Sequence, residues 1–146
     1  MMKLTGRDYL TDSFTPFALV ADDDPLIRMD AADILQDAGF RVYEANGYEQ
    51  AVAILTDSAE VVQLLFTDVQ MPPGKLNGFH LAQKCADNWP HIRVLVASGM
   101  IQPGPGDLPD GAVFVRKPFS AEVVYERLQE ILPERIQPEK LRRRLS

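Results

Sequence analysis

Short apolar segments alternate along this chain with longer stretches whose apolar residues recur at helical spacing. The apolar segments have the length of buried strands, and each runs into polar or turn-forming residues that end it. They are residues 17–21, 41–45, 62–67, 92–97 and 112–116. Strands that alternate with helices are joined by right-handed crossovers, so the strands lie parallel and helices cover both faces. The sequence therefore predicts an α/β fold with a five-stranded, doubly wound parallel sheet.

The helical stretches carry start and stop signals. Asp24 can cap the first helix, with Pro25 at its first position and Gly39 just after its last turn. Ser120 can cap the last helix, which Pro133 ends. Between the fourth and fifth strands, residues 100–111 contain three Pro and three Gly, and a helix of ordinary length is not expected there. We predict a loop in place of that helix.

The length and charge bound the domain organisation and the partners. A chain of 146 residues suits one domain, and we assign residues 1–15 to an N-terminal extension, 16–132 to the domain and 133–146 to a basic tail. The net charge is -6, although five of the fifteen Lys and Arg lie in the tail. An acidic body disfavours nonspecific nucleic-acid binding, and we expect no nucleic-acid partner. The tail is expected to be a solvated helix end or a fraying terminus, resuming as a short helix after Pro138, with contact to an acidic partner or nucleic acid as the alternative.

No apolar run is long enough to cross a membrane, and the N-terminus lacks a signal-peptide core. We therefore expect a soluble, cytoplasmic protein with no membrane partner. The single Cys85 cannot form an internal disulfide, and its place in a helical pattern indicates a buried or half-buried side chain and not a reactive thiol.

Chemically functional residues follow four of the predicted strands. Asp22 and Asp23 follow the first strand, Asp68 the third, Ser98 the fourth and Lys117 the fifth. The C-terminal ends of parallel strands share one edge of the sheet, where ligands bind in open α/β folds. These side chains are therefore expected to lie together, although each alone could be a cap, a turn residue or a surface cation.

The residue types at this edge indicate phosphoryl transfer. Three neighbouring carboxylates repel one another unless a cation lies between them, and an all-oxygen donor set with no His or second Cys favours Mg2+ over zinc. A metal, a Lys and a hydroxyl around one carboxylate stabilise the charge of a transferring phosphoryl group while the carboxylate attacks. We predict that Asp68 becomes an aspartyl phosphate.

Four motifs together resemble the receiver domain of two-component response regulators over about residues 16–132. They are Asp22-Asp23, Thr67-Asp68-Val69-Gln70-Met71-Pro72, Ala97-Ser98-Gly99 and Arg116-Lys117-Pro118-Phe119. The resemblance implies a flavodoxin-like receiver fold with strand order 2-1-3-4-5. The Pro/Gly-rich loop then stands where many receivers have their fourth helix, which in the family commonly transmits the signal or forms the dimer contact.

The resemblance also implies roles for individual residues. Asp68 corresponds to the phosphoacceptor. Asp23 is a direct Mg2+ ligand, Asp22 a ligand partly through water, and the backbone carbonyl of Gln70 a further ligand beside Asp68.

Phosphoryl binding and signalling are assigned to the later motifs. Lys117 pairs with the phosphoryl group, Ser98 donates a hydrogen bond to it, and Gly99 leaves room for its oxygen. Phe114 is a switch residue that moves inward as Ser98 is drawn to the phosphate, or alternatively an ordinary core residue of the strand. The Lys117-Pro118 peptide bond is expected to be cis.

The resemblance implies a signalling protein that catalyses only its own phosphorylation and dephosphorylation, and not an enzyme that acts on another substrate. The phosphoryl group would come from a histidine of a sensor histidine kinase or a histidine phosphotransfer protein, and the signal would pass to a downstream protein target or by onward phosphotransfer. His80 and His91 follow no strand and are expected to have surface or helix-packing roles. Residues 133–146 are too few for an output domain, so we expect a stand-alone receiver, with a piece cut from a hybrid kinase as the alternative.

Two other functions remain open from the residues. One is a phosphate-independent interaction module with a receiver fold, which the complete set of site residues disfavours. The other is a phosphohydrolase similar to the haloacid dehalogenase group, with Asp22 as nucleophile and Asp24 as acid and base. Pro25 stands where that group has Thr or Val, and a second acidic pair late in the chain is missing.

Overall fold

A central parallel sheet organises the protein. The computed structural model describes residues 15–72 and 76–144. The strands are β1 (Phe17–Ala21), β2 (Arg41–Ala45), β3 (Val62–Asp68), β4 (Arg93–Ser98) and β5 (Val113–Arg116). All neighbouring strands pair in parallel, in the order β2-β1-β3-β4-β5. The predicted fold and strand order are confirmed, and Asp68 and Ser98 prove to be the last residues of their strands.

Four helices connect or follow these strands, and capping explains where they begin. They are α1 (Pro25–Asp37), α2 (Tyr48–Ser58), α3 (Gly78–Asn88) and α4 (Ala121–Ile131). Asp24 caps α1 by accepting hydrogen bonds from the N–H groups of Leu26 and Ile27. Asn77 and Ser120 cap α3 and α4 in the same manner. No helix among the described residues has the length and apolar character needed to cross a membrane.

The sheet separates two apolar clusters because successive strand residues point to opposite faces. In β1, Ala18 and Val20 belong to the cluster beneath α1 and α4, whereas Leu19 and Ala21 belong to the cluster beneath α2 and α3. Cys85 lies fully buried in the second cluster, and burial raises the pKa of its thiol to about 12. It is a core residue, as expected.

A loop replaces the helix between β4 and β5, as predicted. Residues 99–112, all of which the structure describes, contain no helix. Leu108 and Ala112 pack against the cluster beneath α2 and α3, and the Gln83 side chain on α3 donates to the Gly106 carbonyl over 3.3 Å. The loop therefore lies against α3 and the cluster beneath it.

A short helix follows Pro138, as predicted, but it packs on the domain, which corrects the expectation of a solvated or fraying end. A 3-10 helix (Glu134–Ile136) and the short helix α5 (Glu139–Arg144) follow α4. Leu141 of α5 is fully buried in the cluster beneath α1 and α4, and its carbonyl accepts a 2.9 Å hydrogen bond from Gln129. Most residues of this short helix are charged, but Leu141 among them is part of the core. Of the predicted N-terminal extension, residues 1–14 lie outside the described residues.

Leu141→Ala is expected to destabilise the protein by about 3 kcal/mol, because it removes a fully buried side chain and leaves a cavity. Urea unfolding followed by circular dichroism measures the effect. The matched control is Leu26→Ala, at a leucine that is 76% exposed, which should change the free energy of unfolding by less than about 0.5 kcal/mol. Equal effects of the two variants would mean that α5 does not contribute to the core.

Candidate functional site

The C-terminal edge of the sheet forms an open pocket of about 420 Å³. Seven residues that the sequence predicted for the site line it: Asp22, Asp23, Asp68, Gln70, Ser98, Gly99 and Lys117. They come from the ends of four different strands, and the parallel sheet is what brings them together. Phe114 and Pro118 do not line this pocket.

Asp68 lies at the centre of the pocket's polar contacts. It is the last residue of β3 and is only 7% exposed. The Lys117 ammonium donates to Asp68 Oδ1 over 2.9 Å. Burial raises the pKa of the Asp68 carboxyl, and the charge of Asp22 adds to the rise, although the hydrogen bond from Lys117 opposes it. The carboxylate is thus a buried anion that depends on nearby positive charge.

Lys117 joins two of the three acidic residues. Its ammonium donates to Asp22 Oδ2 over 3.0 Å and to Asp68 Oδ1 over 2.9 Å. Burial alone would lower the pKa of Lys117, but the two carboxylates outweigh it and raise the pKa above the ordinary 10.5. The Lys117–Pro118 peptide bond is cis. Because both carboxylates hold it, the Lys117 ammonium is a fixed positive charge directly beside Asp68.

Three carboxylates offer a site that fits a hard divalent cation. One oxygen from each of Asp22, Asp23 and Asp68 can be chosen so that all lie within 4.8 Å of one another. Asp23 is exposed, whereas Asp22 is 4% exposed. Oxygen donors in a pocket open to water suit Mg2+, which binds through one or two carboxylates and retains several waters. The donor set fits this ion, while it lacks the His or Cys ligands typical of zinc.

The backbone of Asp68 is held by contacts that sequence reasoning missed. The Thr67 hydroxyl donates to the Asp68 carbonyl over 2.9 Å, and the N–H of Gly78 donates to the Val69 carbonyl over 2.8 Å. A Cβ at Gly78 would lie 2.8 Å from the Asp68 carbonyl carbon and would overlap its oxygen. The signal in the sequence was a Gly after the capping Asn77, but only the fold reveals what it approaches.

Gly78→Ala is therefore expected to destabilise the protein by about 2 kcal/mol, because α3 and the backbone of Asp68 must move apart. Chemical denaturation measures the change. Gly47→Ala is the matched control, since a Cβ at Gly47 meets nothing within 4 Å. A Gly78 variant as stable as the Gly47 variant would contradict the close packing of α3 on β3.

The hydroxyl and the aromatic residue predicted to act in signalling occupy different environments. Ser98, 2% exposed, accepts a hydrogen bond from the Ile101 N–H over 3.2 Å, which ties it to the loop before β5. A Cβ at Gly99 would come no closer than 3.7 Å to Lys117, an ordinary contact. Phe114 is half-buried opposite Val96 of β4 and packs against the cluster beneath α2 and α3.

Both histidines have structural partners away from the pocket. His80 Nδ1 accepts a 2.9 Å hydrogen bond from the N–H of Asn77, completing the capping box of α3. His91 Nε2 lies 2.8 Å from the carbonyl oxygen of Ala59. These contacts agree with the expected packing roles.

Comparison with known proteins adds an independent finding. Residues 18–129 match the family described as response regulator receiver domain. The nitrogen assimilation regulatory protein NtrX of Azorhizobium caulinodans is 31% identical over 120 residues, which cover 78% of this chain and 26% of NtrX. Sensor kinase CckA of Brucella abortus is 28% identical over 119 residues, which cover 78% of this chain and 12% of CckA. This chain thus spans about a quarter or less of the length of these two relatives.

A solved structure gives the same match at the level of the fold. The receiver domain of the hybrid histidine kinase CckA superposes with a TM-score of 0.66 at 27% identity, covering 83% of this chain and 99% of that domain. The similarity therefore extends over a whole receiver domain.

Proposed function

Because this chain belongs to the response regulator receiver domain family, whose members act in two-component signalling, we propose that Asp68 accepts a phosphoryl group from a partner histidine with Mg2+ bound beside it. The observation that carries the proposal is the position of Lys117. Its ammonium lies within 3.0 Å of both Asp22 and Asp68, in a pocket that also contains Asp23 and the Ser98 hydroxyl.

The metal would be held by Asp22, Asp23, Asp68 and the backbone carbonyl of Gln70. When bound, it would neutralise charge on the carboxylates and on the oxygens of the transferring group. Asp68 ends β3, and the other three residues lie in the turns after β1 and β3, so the pairing of these neighbouring strands accounts for their meeting.

The transfer itself needs few protein groups. An Asp68 oxygen forms a bond to phosphorus as the bond between phosphorus and the donor's imidazole nitrogen breaks, and the leaving imidazole takes up a proton from water. Burial of Asp68 opposes its ionised form, while Lys117 favours it. Lys117 also compensates the negative charge on the phosphoryl oxygens as they approach.

Ser98 and Phe114 would pass the change onward. The Ser98 oxygen already accepts from Ile101, and its own hydrogen can be donated to a phosphoryl oxygen beside Gly99. Movement of Ser98 would then displace the residues 100–111 loop, and Phe114 in β5 would respond through the shared strand pairing with β4. The loop thereby becomes the proposed output segment.

The proposed partners follow from the same chemistry. The donor is a sensor histidine kinase or a histidine phosphotransfer protein, and a downstream protein reads the phosphorylated form, both in the cytoplasm. The relatives include a sensor kinase and a regulatory protein, so either setting is compatible with this chain. The phosphohydrolase alternative gains no comparable support, since the Asp24 carboxylate serves as a helix cap in contact with the N–H groups of Leu26 and Ile27. The phosphate-independent module is distinguished by experiment.

Incubation of the full chain with acetyl phosphate, followed by intact mass spectrometry, tests the proposal. We expect the addition of one phosphoryl group when Mg2+ is present and none when a chelator removes it. No mass gain under either condition would favour a phosphate-independent module. A gain that survives substitution of Asp68 would favour a hydrolase-like nucleophile.

A further inference from the structure

Arg28 on the first turns of α1 joins the ends of two strands beside the pocket. Its Nη1 donates to the backbone carbonyl of Asp22 over 2.9 Å. Its Nε donates to the Glu44 carboxylate of β2 over 3.1 Å. The side chain is 20% exposed, so most of it is enclosed between α1 and the sheet edge. One guanidinium thus links α1, the turn after β1 and the end of β2.

The contact completes the anchoring of Asp22. The N–H of Asp22 donates to the Ala45 carbonyl over 3.1 Å, while its carbonyl accepts from Arg28. With both backbone groups fixed, the carboxylate is directed toward the Asp24 N–H, at 2.9 Å, and toward Lys117, at 3.0 Å. Loss of the Arg28 contact would leave the carbonyl of a nearly buried residue without this donor and would allow the turn to rotate.

The ion pair with Glu44 offsets the positive charge that Arg28 brings beside the proposed metal site. An uncompensated guanidinium bonded to the Asp22 carbonyl would repel a divalent cation held by the carboxylate of the same residue. Glu44 forms an ion pair with Arg28 and compensates its charge. The planar guanidinium can make both contacts at once because its N–H groups point in fixed directions.

We propose that Arg28 is a positioning residue that orients Asp22 for metal binding, and that Glu44 offsets the charge of Arg28 so that this orientation does not repel the metal. The inference rests on the proposed Mg2+-dependent function of the pocket. Arg28 forms no hydrogen bond or ion pair with the carboxylates of Asp22, Asp23 or Asp68, so its effect passes through the backbone of Asp22.

The test is the Mg2+ dissociation constant of the full chain, measured by isothermal titration calorimetry. Loss of an outer residue that orients a metal ligand costs about tenfold in affinity or more, and we expect about a tenfold rise in the dissociation constant for Arg28→Gln. Arg28→Lys should recover part of the loss, since an ammonium can still donate to the carbonyl. Glu44→Gln should weaken binding mainly at low salt, where the uncompensated guanidinium is screened least.

The matched control is Arg127→Gln on α4, which removes another arginine from an ion pair, with Glu130 at 3.0 Å, at a position that does not line the pocket. It should bind Mg2+ as the unsubstituted chain does. Amide exchange at Asp24, whose N–H is bonded to the Asp22 carboxylate, should accelerate in Arg28→Gln and not in the control.

A general loss of stability gives a different result from a loss of positioning. Positioning predicts that Mg2+ raises the melting temperature less in Arg28→Gln than in the unsubstituted chain. An unchanged dissociation constant, or a lower melting temperature in chelator with the full Mg2+ effect retained, overturns the inference. The proposed function fails separately, if the unsubstituted chain binds Mg2+ but takes up no phosphoryl group from acetyl phosphate.

Discussion

Asp68→Asn is expected to abolish phosphoryl uptake while making the metal-free protein more stable. The amide retains the shape of the carboxylate but cannot act as the nucleophile, so labelling should fall to the background. Stability should rise by about 1 kcal/mol at neutral pH, because a neutral side chain removes both the cost of burying the anion and the repulsion from Asp22.

The sign of the pH dependence follows from the raised pKa of Asp68. The folded protein holds this proton more tightly than the unfolded chain, whose carboxyl has the ordinary value of 3.8. Ionised Asp68 therefore lowers the stability of the unsubstituted protein at neutral pH. The advantage of the variant should shrink as the pH falls through the folded-state pKa and vanish below 3.8.

Intact mass after acetyl phosphate treatment and urea unfolding in chelator, at neutral and acidic pH, measure the two effects. Asp87→Asn, at an exposed position on α3, is the control and should be labelled normally. A labelled Asp68→Asn protein would assign the nucleophile to another residue. A variant less stable than the unsubstituted chain at neutral pH would contradict the unfavourable burial of the anion.

The parts of the site that could be predicted from sequence are those fixed by strand ends. Lys117 stands 49 residues from Asp68 and 95 from Asp22, yet each of the three lies directly after an apolar run of the sequence. A parallel sheet brings such positions to one edge whatever the lengths of the helices between them. The pattern alone was therefore sufficient to place these side chains in one pocket.

The parts that could not be predicted depend on contacts between surfaces. The approach of Gly78 to the Asp68 backbone is set by how α3 packs on β3, which no local pattern encodes. The hydrogen bond from Arg28 to the Asp22 carbonyl depends on the conformation of the arginine side chain, which the sequence does not specify. The sequence of residues 139–144 predicts only a charged, solvated end, because a helix this short is too short to show a periodic apolar face. Leu141 is buried by its packing against the rest of the domain, which the local sequence does not indicate.

Lys117→Met is expected to destabilise the metal-free protein by about 3 kcal/mol and to slow phosphoryl uptake about a hundredfold. The substitution keeps much of the side chain's length but removes the ammonium that lies within 3.0 Å of both Asp22 and Asp68. The two buried carboxylates then face each other without compensation, and the pKa of Asp68 rises further because its opposing hydrogen bond is lost. Added Mg2+ should recover much of the stability by supplying positive charge, but it cannot replace the donor to the phosphoryl oxygens.

The pH dependence of this loss separates charge from packing. The raised pKa of Lys117 means that its contribution is fully present below 10.5 and is lost as the pH rises through the higher folded-state value. The stability gap between Lys117→Met and the unsubstituted chain should therefore close in strong alkali.

Lys84→Met on α3, outside the pocket, controls for the loss of a lysine. Urea unfolding with and without Mg2+, together with the initial rate of labelling, tests these expectations. A gap that persists at all pH values would assign the effect to packing of the side chain, and an unchanged labelling rate would remove Lys117 from the transfer step.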